Sequence, residues 1–158
     1  MRSVYWTIWL ALSLLCAGEA ARWSATARPP RWAWWAFTAG ALLCAVHIVI
    51  AMNVAHGWNH DAAVAATRRQ TREVFGLDWG GGVFLNYVFV AVWLFEAWRW
   101  RTGRTGSSPD ALTWGVRILF LIMIVNGAIV FAAGPRRIAG AVIAAVLCWA
   151  YFGRRRLR

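Results

Sequence analysis

Five apolar segments, parted by short gaps that hold most of the arginines, limit this chain to one kind of structure: a bundle of membrane-crossing helices. The segments run over about 4–21, 34–56, 80–98, 112–133 and 138–152. Tryptophan and arginine mark their edges, as they do at membrane interfaces. The last segment has fifteen residues, short of the roughly 17–25 usual for a span. Arg136-Arg137 and Arg154-Arg155-Arg156 bracket it all the same. Hydrophobic residues make up 61% of the 158 and the mean hydropathy is +0.51, whereas soluble domains hold roughly 45–50% apolar residues. The expected fold is therefore an all-α integral membrane protein, one polytopic domain over 1–158 with five transmembrane helices.

The first segment can also be read as a signal peptide, which would leave four spans. Arg2 gives a basic start, and Ala17-Gly18-Glu19-Ala20-Ala21 offers small residues for cleavage. Trp23, Arg22 and Arg28 look instead like anchors on a retained helix, and retention is the favoured reading. Cys16, Cys44 and Cys148 all lie inside apolar segments. Their odd number and the absence of a CxxC pair argue against a disulfide framework.

With five spans, the arginines divide unequally. Eleven fall on one side (Arg22, Arg28, Arg31, Arg99, Arg101, Arg104, Arg117 and four at the C-terminus) and six on the other (Arg2, Arg68, Arg69, Arg72, Arg136, Arg137). The positive-inside rule then puts the C-terminus in the cytoplasm and the loop holding His60 outside. In the inner membrane of a bacterium, outside means the periplasm. The net charge of +11 comes from arginines scattered among these gaps. They form no stripe that could track a nucleic acid, so the expected partner is the lipid bilayer, with anionic headgroups drawn weakly to the arginines.

Two loops have distinct characters. Residues 59–75 read as a short interfacial helix: Asn59 is a candidate N-cap, Asp61 falls in the first turn, arginines fall in the last, and Gly76 fits the C-cap. Residues 101–111 read as a flexible linker, with Ser108 and Pro109 suited to cap and start the fourth span. Gly140 with Ala144, and Ala141 with Ala145, have the small-xxx-small spacing that lets helices pack closely.

Chemistry is concentrated in three histidines, His47, His56 and His60, the only ones in the chain. Membrane segments rarely keep ionisable groups unless these are paired, face a cavity or bind something. His56 and His60, four residues apart, could hold one transition metal ion jointly, with Asp61 as ligand or as orienting base. If Gly57 and Asn59 break the helix, the pair becomes a turn that still allows joint ligation. The ordinary alternative is that both bond to headgroups, water and loop carbonyls. Asn53, Trp58, Asp78 and Trp79 complete the candidate rim, with Asp78 also suited to cap the third span. The glycines 80–82 that follow would let a backbone or ligand approach closely.

His47 lies deeper, sharing a face with Cys44. A Cys44/His47 metal pair is one reading; a neutral His bonded to Asn86, Tyr87 or Asn126 is the preferred one. Haem is a weaker expectation than a metal ion, because bis-histidine ligation draws on two helices at one depth and all three histidines follow one another here. His56-x3-His60 resembles one histidine box of the membrane desaturases, but three histidines cannot furnish a di-iron centre. Glu19 and Glu96 each have an arginine three residues on, Arg22 and Arg99, and pairing within the helix accounts for both.

Three functions remain open at this point. The first is an outward-facing His/Asp site for redox or metal handling. The second is a non-catalytic accessory or assembly subunit, in a larger membrane complex or an oligomer of itself. The third is a transporter, resting on His47, Asn86 and Asn126.

Overall fold

The computed structural model describes residues 2–24, 29–104 and 109–153. Arg28, Ser108 and residues 154–158, which carried parts of the expectations above, lie outside them. The structure is all-helical, 86% helix, with no strand among the described residues. Six helices follow one another: α1 (Arg2–Ser24), α2 (Arg31–His56), α3 (His60–Phe75), α4 (Gly82–Arg101), α5 (Ala111–Ile124) and α6 (Pro135–Phe152). A π-helical segment, Val125–Val130, prolongs α5.

Contacts such as Trp34 with Ala97 and Arg99 with Asp110 join the start of one long helix to the end of another, so successive long helices run antiparallel. They close a ring in which α1 packs on α2, α2 on α4, α4 on α5, α5 on α6, and α6 back on α1. Trp93, Phe37, Phe120, Leu15 and Leu147 fill its centre, all but removed from solvent. Phe37, Phe89 and Phe120 surround the Trp93 ring with centroids 5.3–5.9 Å away, in tilted and edge-on geometries that aromatic quadrupoles favour.

Small residues set how closely the helices approach. A Cβ on Gly18 would lie 2.8 Å from the Phe37 Cβ, and one on Gly40 would lie 2.8 Å from the Trp93 ring and 3.0 Å from the Ala11 carbonyl. At the other seam, a Cβ on Gly140 would overlap the Ala128 carbonyl. Gly140 and Ala144 are buried while Ala141 and Ala145 are exposed, so of the two small-residue spacings in α6 only the first is a packing face. Ala128 belongs to the π segment, whose wide turn is closed by the Phe131 N–H donating to the Asn126 carbonyl. The Asn126 side chain donates back to the Ile122 carbonyl and so is not a partner for His47.

The short helix expected over 59–75 forms as α3. Asn59 Oδ1 accepts from the Ala62 N–H at 3.0 Å, and Gly76 takes the left-handed conformation, φ 70°. α3 packs on α2 and α4. The glycine run serves this packing: a Cβ on Gly80 would lie 2.7 Å from the Val64 carbonyl oxygen, and one on Gly82 would lie 2.8 Å from Thr67. Two capping expectations need correction. α4 starts from Gly81, not Asp78, because Asp78 is drawn to Arg72 at 2.7 Å and Arg68 at 3.6 Å. α5 is capped by Asp110, whose Oδ1 accepts from the Thr113 N–H at 2.7 Å. Aspartate is a strong cap, and its charge suits the helix N-terminus.

Three stretches are long and apolar enough to cross a membrane: Arg31–His56, Ala111–Val130 and Pro135–Phe152. The last is the segment that looked short in the sequence. It gains its length because Pro135 starts the helix, with Arg136 and Arg137 inside the first turn. α1 and α4 have the length, 23 and 20 residues, but they carry tryptophans and the charges described next.

Candidate functional site

The charges in the core meet at one end of the ring. Glu19 and Arg22 of α1, Glu96 and Arg99 of α4, and Arg117 of α5 are each no more than 7% exposed. Glu19 and Glu96 both stand five residues before their helix ends, which is about 7–8 Å at 1.5 Å per residue. This end, where the 24–31 and 101–111 connections lie, is called the arginine end; α3 lies at the histidine end.

Both pairs expected within a helix are present: Arg22 Nη1 to Glu19 Oε1 at 3.2 Å, and Arg99 Nη1 to Glu96 Oε2 at 2.8 Å. The three-residue spacing gives no sign of the link between helices. Arg22 also donates to Glu96 at 2.9 Å. Arg99 also reaches Asp110 at 3.1 Å. The chain of ion pairs thus runs from α1 through α4 to the cap of α5. Trp23 Nε1 adds a 2.8 Å bond to Glu19 Oε2. The Thr113 bonds, and then Arg99, hold the Asp110 carboxyl below its ordinary value of 3.8, so it is ionised at neutral pH and completes the chain.

Arg117 joins through aromatic faces. Its guanidinium carbon lies 3.8 Å from the Trp23 ring centroid, 4.7 Å from Trp114 and 4.9 Å from Tyr151. Arg22 is placed likewise, 4.5 Å from Trp100 and 4.8 Å from Trp23. Cation–π contacts of this kind gain strength where water is excluded. The three carboxylates Glu19, Glu96 and Asp110 balance the three guanidiniums Arg22, Arg99 and Arg117, so the cluster is neutral as a whole. A buried ion pair is tolerated only when every charge has a partner. Arg117 could have signalled this arrangement in the sequence: it sits in an apolar run with no acidic residue three or four positions away, so any carboxylate balancing it had to come from another element.

This cluster is an ionic lock between helices. Every carboxylate is already taken by guanidinium, indole or backbone donors.

The histidines at the opposite end are dispersed. His47 Nδ1 lies 3.1 Å from Thr7 Oγ1 of α1, so the partner is this hydroxyl and not Asn86, Tyr87 or Asn126. Asn86 is exposed. His56 ends α2, half-buried, and His60 begins α3, half-buried. Tyr87, expected beside His47, faces His60 instead: its hydroxyl is 3.4 Å from His60 Nδ1, and the rings stack at 6.1 Å. Asn53, Trp58, Asp61, Asp78 and Trp79 are exposed. Among the described residues no three His, Cys, Asp or Glu side chains are grouped to hold a metal ion.

No protein-family model, no curated protein and no solved structure matches this chain.

Proposed function

We propose that this chain is a five-span inner-membrane protein, C-terminus in the cytoplasm, that serves as a non-catalytic subunit of a membrane assembly. One observation carries the reading: large apolar side chains face outward, while a group of charges is buried at one end of the otherwise apolar core. Trp6, Trp35, Trp149 and Ile138 are 64–75% exposed, while Glu19, Arg22, Glu96, Arg99 and Arg117 are buried within the ring. Large exposed apolar surfaces mark contact with lipid or with other proteins. α1 and α4 count as spans here because, at 1.5 Å per residue, both reach across a hydrocarbon core of about 30 Å. Their charges face the ring, where partners await them. Retention of α1 follows from the same argument, since cleavage near Ala21 would strip Glu19 from the lock.

Orientation has its own test. A reporter fused after Arg69 is expected to be active in the periplasm, and one fused at Arg158 only in the cytoplasm. Periplasmic activity at Arg158 would reverse the topology.

For the subunit role, gentle solubilisation followed by native mass spectrometry should find the chain in a complex of fixed stoichiometry with another membrane protein or with itself. A lone chain carrying one metal ion would refute that role.

A metal-handling site at His56, His60 and Asp61 stays as a second reading. What favours it is the turn between α2 and α3. Gly57 and Trp58 both take positive φ, 54° and 61°, and the Trp58 N–H bonds back to the Met52 carbonyl at 2.9 Å. The turn folds His60 back over the end of α2.

A further inference from the structure

We propose that Met52, His56 and His60 form a binding site for copper(I) at the histidine end. The proposal rests on the second reading above and changes its ligand set, replacing Asp61 with a thioether.

Met52 and His56 stand at i and i+4 near the end of α2, and so on one helix face. The turn that follows is tight. Trp58 N–H returns to the Met52 carbonyl and Asn59 N–H to the His56 carbonyl, both at 2.9 Å. His60 comes next and opens α3. Tyr87 then ties the two ends together: its hydroxyl lies 4.0 Å from Met52 Sδ and 3.4 Å from His60 Nδ1. One oxygen atom thus touches both the sulfur and the imidazole. Phe84 packs edge-on against His60 at 5.4 Å. Met52, His56, His60 and Tyr87 are all half-buried, which shields a metal from bulk water while leaving a path in.

The chemistry of this set selects the ion. A thioether and two imidazoles are neutral and soft to borderline, the ligands copper(I) takes. Zinc structural sites use thiolate, imidazole and carboxylate rather than thioether. Magnesium, calcium and manganese need oxygen ligands. The Tyr87 contacts are at the long limit for hydrogen bonds, so the hydroxyl yields readily when a metal takes its place. The backbone supplies a separate indication. A tryptophan at positive φ costs on the order of 1 kcal/mol, and Trp58 is the only non-glycine residue with positive φ among those described. Such strain persists where the surroundings impose it, commonly at ligand sites.

The test uses the full chain in nanodiscs of phosphatidylethanolamine and phosphatidylglycerol, in a Cys148→Ser background so that no exposed thiol competes. Copper(I), kept reduced under anaerobic ascorbate, is titrated against bicinchoninate; zinc(II) is titrated separately. One copper(I) per chain is expected. Met52→Leu and His60→Ala should each weaken it by roughly tenfold or more, since even a partner that only supports a ligand is worth roughly 10–100-fold, and Asp61→Asn should leave it unchanged. X-ray absorption should show a sulfur neighbour that Met52→Leu removes, with circular dichroism unaltered. Zinc binding that depends on Asp61 and ignores Met52→Leu would overturn the copper site and keep the metal reading. Stoichiometric binding of neither ion would overturn both.

Discussion

Replacing Glu96 with leucine is expected to destabilise the bundle by about 3–5 kcal/mol, the usual loss when one member of a buried ion pair is removed. Glu96 is 1% exposed and accepts from Arg22 at 2.9 Å and Arg99 at 2.8 Å. The leucine fits the apolar surroundings, but Arg22 and Arg99 each lose one of two acceptors at once, which leaves the cluster with one positive charge in excess. The measurement is the midpoint of unfolding in detergent, followed by circular dichroism and compared with Asp78→Ala. Asp78 also makes two ion pairs, with Arg68 and Arg72, but on an exposed surface. Water and salt screen such pairs, and removing one costs at most about 1 kcal/mol. Equal losses from the two substitutions would mean that the lock is solvated.

The second large effect is expected at Gly140. A Cβ there overlaps the carbonyl of Ala128, and a backbone carbonyl in a π turn cannot swing aside as a side chain can. Gly140→Val should therefore push α6 off the end of α5 and cost about 1–3 kcal/mol or more, the range for overpacking. Ala141→Val, on the exposed face of the same helix, should change stability by no more than about 0.5 kcal/mol. If the two variants melt together, the close approach at Gly140 is absent in solution.

Much of the fold was legible because hydropathy and capping are local properties. The α3 caps at Asn59 and Gly76 follow from one short stretch of chain. What escaped was relational. Glu19 with Arg22, and Glu96 with Arg99, each satisfy the three-residue helical spacing, so nothing in either helix called for a partner beyond it. The Arg22–Glu96 bond joins residues 74 positions apart, and only the closed ring brings them together. Tyr87 was assigned to the wrong histidine for a similar reason. Depth along a helix cannot tell His47 from His60 until the turn at Gly57 and Trp58 folds α3 back. In the same way, the two small-residue spacings of α6 were equivalent in sequence, and the partner helix distinguishes them.

A neutral ionic lock inside an apolar bundle joins α1 to α4. A double-mutant cycle on Arg22 and Glu96 tests it most directly, with Arg22→Met, Glu96→Leu and the pair together, read as unfolding free energy in detergent. Removing both members takes out one positive and one negative charge, leaving Glu19 and Asp110 balanced by Arg99 and Arg117. The double variant should be more stable than Glu96→Leu alone, because uncompensated buried charge, not lost attraction, dominates the cost of each single change. Losses that simply add would contradict the lock and show that Arg22 and Glu96 stabilise the protein independently.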